Sequence, residues 1–98
     1  MKTVTICASM RFADEMIKIA MRLETDYGYC VLQPVYDFDR KVLRGGELAR
    51  IKAAHYKKID LSDAVYIVNI GGYIGQSVAE EIAYAKEHGK EILFHEPI

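Results

Sequence analysis

The chain has no excess of charge of either sign. Among its 98 residues, 13 Lys and Arg face 14 Asp and Glu, for a formal net charge of −1. That balance offers no basic footprint for duplex DNA, RNA or an anionic membrane, so neither a nucleic-acid polymer nor a membrane is expected as a partner. Long apolar runs are absent too: none approaches the roughly 18 residues that span a bilayer. The opening Met1-Lys2-Thr3-Val4 carries no long apolar signal segment, and a cytoplasmic location is expected. Cysteine is scarce. Cys7 and Cys30 sit inside apolar runs, neither with a second Cys or a His at metal-ligand spacing, and read as two reduced core thiols. His55, His88 and His95 are scattered and form no HxxxH-type pair. No structural metal and no cofactor are expected. Repeats, low-complexity tracts and linkers are also lacking.

What remains is ordinary globular material. Apolar residues make up 51% and charged residues 28%, enough for one core and one domain over residues 1–98. The pattern alternates strand and helix. Thr3 to Ala8 is a β-rich run. Ala13 to Tyr27 switches to helical period, with Met16, Ala20, Leu23 and Tyr27 on one face, Ile17 beside them and Gly28 as its stop. Tyr29 to Gln33 is a second strand, closed by Pro34. Tyr36 to Gly46 is a polar loop carrying Asp37 and Asp39. Glu47 to Leu61 is a second helix, with Leu48, Ile51, His55 and Ile59 on one face. Ala64 to Val68 is nearly all apolar, as suits a strand buried on both sides. A glycine-rich turn over Gly71 to Gly75, a helix over Ser77 to His88 and a strand over Glu91 to Phe94 complete the chain. Units this short imply right-handed parallel crossovers. The expected fold is a small doubly wound, Rossmann-like α/β sandwich with four parallel strands in order 2-1-3-4.

That order has a topological switch point between the carboxyl ends of strands 1 and 3, where open α/β sheets bind ligands. The segments expected there are Ser9-Met10-Arg11-Phe12 and Asn69 to Ser77. Gly72 and Gly75 allow close backbone approach, and a helix start favours an anion; equally, a tight turn needs glycine. The turn fits neither the dinucleotide fingerprint nor a P-loop. Ser77 and Glu80 match a capping box, which assigns Glu80 a structural role. Glu81 has no such role. It borders the stripe of Val78, Ile82 and Ala85 beside the cleft, where a carboxylate is costly to desolvate unless something uses it. Ser9 and Arg11 offer a hydroxyl and a forked donor, although a capping Ser and a surface Arg explain them on spacing alone. His55 reads equally as a core histidine or a cleft residue. Turn chemistry accounts for Asp60 and Asp63. Asn69 is a candidate hydrogen-bonding contact. Phe12 and Tyr73 can stack on a planar base or pack on the domain.

Several of these segments resemble one family. Ile6-Cys7-Ala8-Ser9-Met10-Arg11 resembles the first-strand signature of the nucleoside 2-deoxyribosyltransferase superfamily, most closely the deoxynucleoside-monophosphate N-glycosidase branch. Asp63 to Val68, Glu81-Ile82-Ala83-Tyr84-Ala85 and Gly89-Lys90-Glu91-Ile92 resemble the second half of that domain. The phrase Gly71 to Ser77 looks like that of small bacterial relatives. The resemblance implies that Glu81 is the nucleophile in N-glycosidic cleavage or transfer, as hydrolase or transferase. It implies that Ser9, Met10, Arg11, Phe12, Asn69, Gly72, Tyr73, Gly75 and Ser77 meet a nucleoside or nucleoside 5′-monophosphate. His55 stands where the family carries an Asp, and Ala8 where it prefers Gly. His55 is therefore expected either to donate to the departing base or to orient Glu81. The same replacement motivates the alternative, a non-catalytic module that binds a nucleotide or nucleotide sugar. Relatives complete their clefts with a neighbouring subunit, so a homo-oligomer, dimer or higher, is expected, with Tyr36, Phe38 and Tyr73 as candidate interface aromatics.

Overall fold

The computed structural model describes residues 1–36 and 43–98. These form one parallel sheet, β1 (Thr3–Cys7), β2 (Cys30–Leu32), β3 (Ala64–Ile67) and β4 (Glu91–Phe94), in the order β2-β1-β3-β4. The helices are α1 (Ala13–Tyr27), α2 (Glu47–Asp60) and α3 (Gln76–Glu87). Parallel pairing sets Val4 beside Ala64 and Cys7 beside Ile67. The doubly wound order expected from the alternation is the one observed. Among the described residues no helix is long and apolar enough to cross a membrane.

The pleat of β1 sorts its side chains between two cores. Val4 and Ile6 pack with Met16, Ile19, Ala20 and Leu23 of α1. Cys7 turns to the opposite face, with Val65, Ile67, Ile59 of α2, and Val78 and Ala85 of α3. Fully burying an aliphatic side chain contributes about 1.5–3 kcal/mol, so both faces are needed to hold a sheet this small. The face of α1 differs from the expected one. Ile19 is buried, whereas Ile17 and Tyr27 are 52% and 65% exposed. At about 100° per residue Ile19 falls about 40° from Leu23 and about 60° from Met16 on the sheet side, whereas Ile17 falls about 100° from Met16 the other way, and Tyr27 is the last residue of the helix. The second and third helices end one residue earlier than the pattern predicts, and α3 also begins one residue earlier.

The helices that carry the site are tied down by polar groups. Thr5 Oγ1 and Ser62 Oγ are 2.6 Å apart and buried, and Ser62 Oγ donates to the Lys58 carbonyl at 2.8 Å. Since the Ser62 hydrogen is used there, Thr5 is the donor to Ser62, and the pair pins the end of α2 to the central strand. Tyr84 on α3 donates to Asp60 Oδ1 at 2.5 Å, and Lys90 Nζ to the Asp60 carbonyl at 3.0 Å. Asp63 Oδ2 accepts from the Thr3 amide at 2.9 Å. Both aspartates thus make long-range contacts that turn chemistry alone does not account for.

Candidate functional site

β1 and β3 end side by side, and the chain leaves them in opposite directions. Ser9 caps the short 3-10 turn Met10–Phe12, accepting from the Arg11 amide at 3.3 Å. After β3 comes another tight turn, Ile70–Gly72, in which Gly71 and Gly72 hold φ of 66° and 80°. Two consecutive left-handed residues are costly for any side chain with a Cβ, so glycine serves the turn itself. α3 then starts after Gly75 without a side-chain cap. The capping box expected of Ser77 and Glu80 does not form, because Ser77 already lies inside the helix. Glu80 Oε2 instead accepts from Gln76 Nε2 at 3.4 Å.

A cavity of about 540 Å³ opens at this point, within the range of small-molecule sites. Of the residues singled out from the sequence, Ser9, Met10, His55, Tyr73, Gly75, Ser77 and Glu81 line it. Arg11, Phe12, Asn69 and Gly72 do not. The Arg11 guanidinium lies 3.8 Å over the Tyr73 ring, and Phe12 meets that ring edge-on at 6.1 Å. These two hold Tyr73, which forms the wall in their place. Asn69 is fully buried and faces the end of the chain: its Nδ2 donates to the Glu96 carbonyl at 2.9 Å, and its Oδ1 accepts from the Glu96 amide at 2.8 Å. The opposite wall comes from Pro34 and Val35 and from Leu48, Ile51, Lys52, Tyr56 and Lys58 of α2. These went unremarked in the sequence as cavity residues, yet most lie three, four or seven positions from His55 and so share its side of the helix. Of the candidate interface aromatics, Tyr36 is half-buried against the α1 core, Tyr73 is 39% exposed, and Phe38 lies outside the described residues, as do Asp37 and Asp39 of the polar loop.

Three elements meet in the cavity floor. His55 Nε2 lies 3.2 Å from Glu81 Oε1, with the two side chains only 12% and 14% exposed. The same Nε2 lies 3.6 Å from Cys7 Sγ, which is fully buried behind them. Cys7, His55 and Glu81 each offer one ligand-type atom, all within 4.8 Å of one another. Burial pushes the Cys7 thiol well above its ordinary range, and the charge of Glu81 adds in the same direction. His55 Nδ1 is buried without a hydrogen-bond partner among the described residues. Scanning for ligand spacing along the chain does not reveal this cluster, because the three residues are distant in sequence and meet only through the strand register. Comparison with known proteins adds no relative. The chain matches no family model, no curated protein and no solved structure. Chemically the site offers a shielded carboxylate with an imidazole on one oxygen, facing an apolar-walled cavity with two serine hydroxyls at its rim.

Proposed function

We propose that the protein cleaves or transfers at the N-glycosidic bond of a nucleoside or nucleoside 5′-monophosphate, with Glu81 as the nucleophile. The observation that carries this reading is the Glu81 carboxylate, sheltered in the cavity at the sheet's switch point and held by His55. Glu81 attacks the anomeric carbon as the bond to the base breaks, forming a glycosyl-enzyme ester through an oxocarbenium-like transition state. A carboxylate suits that step because positive charge develops on the sugar ring. Water, or a second base, then takes the sugar and frees Glu81. At 3.2 Å, His55 Nε2 is placed to orient the nucleophile. Tyr56, Tyr73 and Met10 offer apolar surface for a planar base, and Ser9, Ser77 and the amides at the start of α3 offer donors to a phosphate. Val35, Leu48 and Tyr73 also leave the mouth of the cavity partly apolar and exposed, which suits closure by a second copy of the chain.

The test is a panel of deoxynucleosides and their monophosphates, with released base followed by chromatography. Turnover is expected, and Glu81→Gln should lower it by at least about a thousandfold while leaving binding measurable. Binding of a nucleotide with no turnover would instead assign the chain to the non-catalytic class of nucleotide-binding modules. Equal turnover by wild type and Glu81→Gln would rule the nucleophile out.

A further inference from the structure

We propose that Cys7, His55 and Glu81 form a binding site for a zinc-class divalent cation, with a fourth coordination position open to the cavity. The three side chains come from β1, α2 and α3, and their ligand atoms lie within 4.8 Å of one another. Two of the three separations match those a tetrahedral ion needs, and the third, from Cys7 Sγ to the Glu81 carboxylate, is within 4.8 Å. At ordinary zinc bond lengths, a sulfur and a nitrogen on neighbouring corners stand about 3.6 Å apart, and a nitrogen and an oxygen about 3.3 Å. Here Cys7 Sγ to His55 Nε2 is 3.6 Å and His55 Nε2 to Glu81 Oε1 is 3.2 Å. Thiol, imidazole and carboxylate together suit zinc rather than the oxygen-seeking magnesium or calcium.

One nitrogen in the cluster also stands against two neighbours. His55 Nε2 carries at most one hydrogen and faces both Sγ and Oε1. A cation among the three atoms resolves that contest, taking a lone pair from each while the thiol proton passes to solvent. The ring hydrogen then moves from Nε2 to Nδ1, where no protein group among the described residues competes for it, and the metal replaces the Nε2 bond to Glu81. His55 and Glu81 face the cavity and Cys7 lies behind them, which leaves the fourth position on the cavity side. Occupancy engages a Glu81 oxygen. Where the glycosidic reading holds, zinc is accordingly an inhibitor of that activity; the binding itself does not depend on that reading.

The test uses cobalt(II) as the probe, added to the chelator-treated full chain and followed by absorption. One equivalent is expected to give intense visible bands of a tetrahedral ion together with a thiolate charge-transfer band, both removed by added zinc. Cys30→Ser should keep the spectrum. Cys7→Ser should lose the charge-transfer band, and His55→Gln and Glu81→Gln should each weaken binding by more than about tenfold. Circular dichroism melting of each metal-free variant separates lost ligation from lost folding, and the His55 and Glu81 variants carry the test if Cys7→Ser does not fold. A weak, pale octahedral spectrum, or a charge-transfer band that survives Cys7→Ser and vanishes in Cys30→Ser, would overturn the proposal. These readouts need no turnover, so an inactive wild type leaves the metal site standing, and a missing spectrum leaves the glycosidic reading standing.

Discussion

His55 Nε2 has one hydrogen to share between two neighbours. In the metal-free protein, the stronger claim belongs to Glu81, because a bond to a carboxylate is charge-assisted and a thiol is a weak acceptor. The Cys7 thiol then points its own hydrogen at the Thr5 carbonyl, 3.9 Å away. On the proposed glycosidic reading His55 orients Glu81, and His55→Ala should lower kcat more than it raises KM, as steady-state kinetics on the best nucleotide of the panel would show. The shift on Cys7 makes a second prediction. Its folded form keeps a proton that the unfolded chain gives up near the ordinary value of 9.0. Stability from this group is therefore intact below that pH and falls as the pH rises above it, by at most about 1.4 kcal/mol per unit. Denaturant titrations of metal-free protein between pH 8 and pH 10 should show wild type losing more stability than Cys7→Ser. Glu81 was legible in the sequence because an acid bordering an apolar stripe is a local anomaly. The place of Cys7 was not, since one buried Cys in an apolar strand looks the same with or without a His above it.

At the scale of elements, helical period located all three helices among the described residues but misjudged one face. Ile17 and Ile19 are the same residue type two positions apart in α1, yet one is half-exposed and the other buried. Ile19→Ala should cost about 2–5 kcal/mol in chemical denaturation, whereas Ile17→Ala should stay within about 0.5 kcal/mol. A reversed ranking would mean that α1 is rotated on the sheet. The turn after β3 tells a similar story. Its glycines were visible in the sequence, but whether they serve a ligand or the turn depends on φ, and the left-handed values at Gly71 and Gly72 assign them to the turn. Asn69 looked like a ligand contact because it ends a strand at the cleft. Its amide instead clamps Glu96, and Gly71 N donates to Glu96 Oε1 at 3.1 Å. Asn69→Ala should cost about 1–3 kcal/mol and free the last residues, with faster amide exchange at Glu96 as its signature.

For the molecule as a whole, strand order was the most legible property. Alternating short units and the handedness of crossovers leave few topologies, and the observed order puts the cavity at the expected switch point. The wall made by α2 was less legible, because which side of a crossover helix overhangs the cleft depends on how that helix is docked, here through Ser62 and Asp60. The sources of the three floor residues have a further consequence, for how the chain folds. His55 lies 48 positions from Cys7 and 26 from Glu81. The register that presents Cys7 requires β1 to find β3, pairing Val4 with Ala64 across the chain that holds α1, β2 and α2. Such non-local parallel pairing closes slowly, because the chain loses its entropy before the contacts compensate. The site is thus absent from any one hairpin or helix and exists only when the central pair has closed. A signal from it, such as uptake of cobalt, would time the closing of the central strand pair rather than the formation of any local element.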